Sequence, residues 1–288
     1  MNAKMDISES IAQTAQNVVR TKPWIERLAR LGYAVKGLVY FLIGLLAIQA
    51  AIGTGGETTG TEGALKALNR QPFGQAILVL TAVGLVGYAL WRLIQAFLDP
   101  DHNDSNSPKR IVQRLGYVVS ALIYGTLAWE AVRIVMGFVS SSGGQDSTEH
   151  WTAQLMAQPF GRWLVGIVAL IIIGVGLFQI YYGMTAKFRK ELKLHQMSST
   201  ESTWAIRSGR LGYSARGIIY VIIGGFLIWA AIQTNPDAAV GMEEALDKVA
   251  QQPFGAWLLA LVALGFVAYA VFAFVQARYR NIEVAGGS

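Results

Sequence analysis

Apolar residues fall into six long runs, at 31–52, 74–98, 115–139, 161–184, 211–232 and 255–276, separated by shorter polar segments. Each run meets the roughly 20 residues that a helix needs to cross a hydrocarbon core about 30 Å thick. Several runs are rich in glycine and β-branched residues, but they are too long for strands, and a bilayer admits no open sheet edge. The pattern predicts an all-α membrane protein with six transmembrane helices.

The runs come in pairs marked by two tetrapeptides. Arg-Leu-Gly-Tyr occurs at 30–33, 114–117 and 210–213, and Gln-Pro-Phe-Gly follows each copy, at 71–74, 158–161 and 252–255. Two unrelated motifs recurring in fixed order mark three copies of one unit. A unit crosses the membrane twice and returns to its starting side. All three hairpins therefore share an orientation, and a pseudo-threefold axis along the membrane normal is the simplest packing. The expected organisation is an N-terminal arm (1–23), repeat 1 (24–99), repeat 2 (108–187), a basic linker (188–203) and repeat 3 (204–281).

Composition agrees, with 53% hydrophobic and only 15% charged residues. Of the 24 Lys and Arg, 19 lie on the side of the N-terminal arm, the two inter-unit connections and the C-terminal tail, which places both termini in the cytoplasm. The Gln-Pro-Phe-Gly motifs then face outward. The net charge of +6 sets topology and meets anionic lipid headgroups. A nucleic-acid partner is not expected, because the chain shows neither a soluble basic face nor a known nucleic-acid-binding motif.

In Gln-Pro-Phe-Gly, Pro72, Pro159 and Pro253 suit the first turn of a helix, where a missing N–H is no loss. Phe73, Phe160 and Phe254 would anchor at the headgroup level, and the following Gly permits close backbone approach. Short amphipathic segments at 61–70 and 242–251 precede two of these motifs and read as interfacial helices, with Glu57, Glu62, Asp237, Glu243, Glu244 and Asp247 facing water.

The first helix of each unit carries a stripe at four-residue spacing: Gly32, Lys36, Tyr40 and Gly44; Gly116, Ser120, Tyr124 and Ala128; Gly212, Arg216, Tyr220 and Gly224. Small residues so spaced let helices approach, and the stripe reads as a packing seam. Lys36, Ser120 and Arg216 occupy one equivalent position, one to two turns inside the motif Arg. There the two cations either snorkel to the interface or face inward as a candidate anion or lipid-phosphate site. Glu130 and Arg133, three apart, are a candidate intramembrane ion pair, with a proton-linked carboxylate as the sharper alternative.

The chain has no cysteine, and His102, His150 and His195 fall outside the six runs, so no thiolate chemistry, metal site or axial haem ligation is expected. It carries no Walker loop, GxSxG elbow, HExxH or placed dinucleotide fingerprint. No catalytic residue, cofactor or enzymatic activity is expected.

With its Arg-Leu-Gly-Tyr unit starts and the ending Gln276-Ala277-Arg278-Tyr279-Arg280, the chain resembles, over about residues 26–281, the bacterial membrane family called domain of unknown function 1206. The resemblance implies a multi-pass protein of the bacterial inner membrane and carries no functional residues with it. The favoured expectation is a non-enzymatic membrane module that binds lipids, a membrane-protein partner or further copies of itself. The alternative is a small-solute or anion transporter or channel with a cavity between the hairpins. The nearly all-aliphatic midsections speak for the module.

Overall fold

The computed structural model describes residues 23–56, 58–98, 108–138 and 145–281; the arm up to residue 22, Glu57 and His102 lie outside them. The described chain is helical, with nine α-helices. Six are long and apolar enough to cross a membrane. They are α1 (Pro23–Ala51), α3 (Gly74–Leu98), α4 (Pro108–Val135), α6 (Gly161–Met184), α7 (Ser199–Gln233) and α9 (Gly255–Tyr279). Three short helices, α2 (Thr61–Asn69), α5 (Gln145–Met156) and α8 (Met242–Ala250), precede the three Gln-Pro-Phe-Gly turns. Helix α5 adds a third to the two expected. Its sequence, QDSTEHWTAQLM, lacks the apolar stripe that makes α2 and α8 legible.

The second helix of each unit starts with its apolar run, at Gly74, Gly161 and Gly255, but the first starts earlier than its run. Helices α1 and α4 open on Pro23 and Pro108, residues suited to a first helical position. Helix α7 opens on a capping box, in which Ser198 accepts from the Glu201 N–H at 3.2 Å and Glu201 accepts from the Ser198 N–H at 2.9 Å. Arg-Leu-Gly-Tyr is therefore inside its helix rather than at the entrance, and the residues after it lie further from the helix start than the runs imply.

The prolines of Gln-Pro-Phe-Gly are likewise not in the first helical turn. Each stands at the second position of a tight turn closed by N–H donation from Gly74, Gly161 and Gly255 to the carbonyls of Gln71, Gln158 and Gln252, at 2.8, 2.8 and 2.7 Å. The third position, where φ is positive, is filled by Phe73, Phe160 and Phe254 at φ 61°, 63° and 61°. The glycine is demanded by space. A Cβ on Gly74, Gly161 or Gly255 would lie 2.1, 2.4 or 1.9 Å from a carbonyl oxygen of the preceding short helix. The three phenylalanines point outward and are largely exposed, as an anchoring role requires.

The first helix of each unit packs against the second helix of the unit before it, cyclically: α1 on α9, α4 on α3, α7 on α6. Glycines make these contacts close. Gly37 and Gly44 lie on α9 at Ala270 and Ala263, and Gly217 and Gly224 lie on α6 at Gly176 and Ala169. Within the first and third units the two helices also pack together. Gly32 backs onto Tyr88 and Gly212 onto Tyr269, so closely that a Cβ would lie 2.6 or 2.5 Å from the tyrosine backbone or Cβ. In the second unit α4 and α6 hardly touch. Gly116 has nothing within 4 Å, and Val175 holds the place that Tyr88 and Tyr269 hold in their units.

One end of the bundle carries the three Gln-Pro-Phe-Gly turns and the short helices; this is the turn end. There α2 and α8 bury Ala64, Leu65 and Leu68, and Ala245, Leu246 and Val249. Their acidic residues are half-buried and engaged rather than simply facing water. Glu244 accepts from the Gly241 N–H at 3.0 Å, and Asp247 accepts from the Thr58 hydroxyl. The opposite, basic end brings Arg30 of α1 onto the backbone carbonyls of Ala277 and Arg278 at the end of α9.

Candidate functional site

Lys36 lies near the middle of α1 and Arg216 near the middle of α7, and both are buried, at 5% and 8% exposure. Neither snorkels to a helix end. The later expected starts of these helices put both cations near a helix end; with the observed starts, two cations stand at the middle of their helices.

Tyrosines surround them. Lys36 Nζ lies 5.2, 5.6 and 5.0 Å from the ring centres of Tyr88, Tyr124 and Tyr269, and donates to the Tyr88 hydroxyl at 3.3 Å. The Arg216 guanidinium carbon lies 4.9, 5.5 and 4.4 Å from Tyr40, Tyr220 and Tyr269, and Nη2 donates to the Tyr220 hydroxyl at 2.9 Å. Five helices contribute: α1 (Lys36, Tyr40), α3 (Tyr88), α4 (Tyr124), α7 (Arg216, Tyr220) and α9 (Tyr269). The edge-to-face pairs Tyr88–Tyr124 at 4.5 Å and Tyr40–Tyr269 at 4.8 Å lock the rings to one another. The glycines at 32 and 212 place two of these tyrosines, because only a missing side chain lets α3 and α9 come that close.

The cation–tyrosine contacts continue toward the basic end. Arg92 donates to the same Tyr88 hydroxyl through Nε at 3.0 Å, and through Nη1 to Gln95 Oε1 at 3.0 Å. Tyr88 packs edge-on to Tyr33 at 5.1 Å, and the guanidinium of the buried Arg280 lies 5.0 Å from the Tyr33 ring. Arg216, Lys36, Arg92 and Arg280 thus form a ladder of four cations linked by Tyr269, Tyr88 and Tyr33. Among the described residues, the one carboxylate paired with any of the four is Glu191, 2.6 Å from Arg280. Several buried polar atoms along this ladder have no hydrogen-bond partner among the described residues: Arg216 Nε, the Tyr269 and Tyr33 hydroxyls, and Gln276 Oε1.

Burying a charge without a counter-charge costs several kcal/mol, and leaving a buried donor unpaired costs about 1–3 kcal/mol. Cation–π contacts return about 0.5–2 kcal/mol each. Lys36 and Arg216, like charges buried around the same Tyr269 ring, both carry this cost. Toward the turn end, a cavity of about 10 Å³ lies between Lys36 and α2. It has room for roughly one water, and its walls are mainly the carbon of Val39, Leu65, Leu85 and Leu127.

Ser120, the third member of the repeated position, is half-buried on α4, and its hydroxyl bonds neither cation. Tyr40, Tyr124 and Tyr220, expected as packing residues, also line the cation centre, and Tyr40 and Tyr124 pack in the core as well. Glu130 and Arg133 pair at 3.3 Å, as their spacing suggested. Glu62 of α2 stands near them, and burial, with the Glu130 charge adding to it, raises its pKa above the ordinary carboxylate value. Tyr88, Tyr269, Arg92 and Arg280 were not singled out from sequence as site residues. The signal was present in the repeat register: Tyr88 and Tyr269 each stand 14 residues after the glycine of Gln-Pro-Phe-Gly.

The family description that matches the chain is Domain of Unknown Function (DUF1206), over residues 31–99, 115–186 and 211–280. A Bacillus subtilis (strain 168) protein described as "Uncharacterized protein YxxB" is 37% identical over 262 residues, 91% of this chain and 94% of that protein. No solved structure matches.

Proposed function

Because the chain belongs to the DUF1206 family, whose very description leaves function open, the activity has to come from the geometry, and we propose that this is a multi-pass membrane protein that binds and passes a small anion at the Lys36–Arg216 centre. The observation that carries the reading is the pair of buried mid-helix cations that tyrosines surround and, among the described residues, no carboxylate partners. In a low-dielectric setting such a pair is stabilised by a counter-anion from solution, and unpaired donors such as Arg216 Nε and the Tyr269 hydroxyl are free to hold it. The basic end lies in the cytoplasm of a bacterium, and the hairpins run parallel about a common axis in the inner membrane.

The test is thermal unfolding of the purified protein as gluconate is exchanged for chloride, nitrate or fluoride at constant ionic strength. A saturable rise in Tm that is lost in the K36M/R216M double variant is expected. An anion-independent Tm, or a response untouched by the double variant, overturns the proposal.

A second reading, a module that docks lipids or another membrane protein, draws on the second hairpin. Its helices hardly touch and leave Gly116, Gly125, Gly166 and Gly174 with nothing within 4 Å. Cross-linking from cysteines introduced at these glycines in native membranes tests it. Adducts to protein or lipid support it, and their absence counts against it.

A further inference from the structure

The segment between α6 and α7 is a fitted strap across the basic end. Phe188 is fully buried, with its ring 5.7 and 4.7 Å from those of Tyr213 and Phe272. It occupies a notch over Gly209, where a Cβ would lie 2.5 Å from the phenyl ring. Backbone bonds tie the strap to the end of the chain: the Lys193 N–H donates to Tyr279 O and the Asn281 N–H to Glu191 O, both at 2.8 Å. These anchors present Glu191 to the last cation of the ladder. The Tyr182 hydroxyl donates to Glu191 Oε1, and Arg280 Nη1 lies 2.6 Å from Oε2. Glu191 keeps 36% of its side-chain surface exposed, against 6% for Arg280. The carboxylate therefore reaches in from the solvent side, and the cation belongs to the bundle.

A carboxylate held by one guanidinium and one hydroxyl is chemically equivalent to a bound small anion. We propose that Arg280 and Tyr182 form a second anion station at the basic end, that its occupant in this state is the chain's own Glu191, and that a free anion takes its place when the strap lifts. This rests on the anion reading of the Lys36–Arg216 centre, to which the station is linked through Tyr33 and Tyr88. Glu191 then acts as a tethered ligand that closes the cytoplasmic approach. Small monovalent anions such as chloride or formate match the single carboxylate they would replace.

The station is tested in full-length protein carrying K36M/R216M, so that the central pair cannot respond. In that background E191A strands the buried Arg280 charge and lowers Tm, and formate or chloride should restore it saturably, by about 2–4 °C, relative to gluconate. Adding R280M should abolish the response. The milder E191Q, which keeps the side-chain volume, serves if E191A fails to fold and should show the same anion dependence. Absence of any response, or one that survives R280M, overturns the station. For the gate, Ala29→Cys is made in the otherwise cysteine-free chain, where Ala29 is fully buried beside Tyr33. Maleimide should label it in E191A and not with Glu191 present; equal protection in both overturns the gate. A central site that fails while the station responds, or the reverse, separates the two proposals.

Discussion

Replacing Lys36 with Met removes one charge while keeping an unbranched side chain of similar length, and separates a binding role from a packing role. Lys36 and Arg216 both lie within 5.0 Å of the Tyr269 ring centre, so the charges are no more than about 10 Å apart. At an effective dielectric of about 20, their repulsion is about 1.7 kcal/mol or more. Relief of that repulsion, and of the several kcal/mol that Lys36 desolvation costs, is offset by the loss of its three cation–π contacts, about 0.5–2 kcal/mol each. The anion-free variant should therefore be as stable as the parent, or more stable by up to about 3 kcal/mol. An anion about 5 Å from Nζ gains about 3 kcal/mol from Lys36 at the same dielectric, so half-saturation should move about a hundredfold higher. The assay is thermal unfolding with a chloride or nitrate titration against gluconate. If K36M instead loses more than about 2 kcal/mol of stability and keeps the parental half-saturation, Lys36 is a pin for three rings and the anion argument fails.

Three other outcomes follow from the packing and the turn end. Gly32→Ala drives a Cβ to 2.6 Å from Tyr88 Cβ and 2.9 Å from its backbone, and should cost about 2 kcal/mol or more in Tm-derived stability. Gly116→Ala, at the equivalent position with nothing within 4 Å, should be neutral or stabilising by about 0.5–1 kcal/mol. Equal effects would show that the second hairpin closes like the others. The raised pKa of Glu62 means that the fold favours its neutral form, so the stability it contributes is present at and below the ordinary value of 4.5 and is lost as pH rises through the folded-state value. Glu62→Gln should therefore raise Tm at pH 7, with the advantage shrinking as pH falls toward 4.5. A constant difference across that range would remove the burial argument.

The three units and six spans were legible because both rest on length and repetition, which local detail cannot disguise. The starts of the second helices, at Gly74, Gly161 and Gly255, were legible too; those of the first helices were not, because the apolar runs were read as the helices themselves. Pro23, Pro108 and the Ser198–Glu201 capping box are start signals that lie 7, 6 and 12 residues ahead of the Arg of Arg-Leu-Gly-Tyr, in polar sequence. That error put Lys36 and Arg216 near the ends of their helices rather than at the middle. The Gln-Pro-Phe-Gly proline misled for another reason: its turn puts phenylalanine at positive φ, a position usually read from glycine or asparagine. The Glu130–Arg133 pair was legible because both residues lie on one helix. The cation–tyrosine ladder was not, since it is assembled from α1, α3, α7 and α9, together with Arg280 just past the end of α9, and only the repeat register hinted at Tyr88 and Tyr269. The open second hairpin was half-written in Val175, but a missing tyrosine does not by itself say that α4 and α6 will stand apart.

The most direct measurement is the anomalous scattering of bromide in crystals of the protein grown or soaked in saturating bromide. A bromide peak within reach of Lys36 Nζ and Arg216 Nε, absent in K36M/R216M, is the predicted result. Bromide sites elsewhere and none between these two cations would contradict the account.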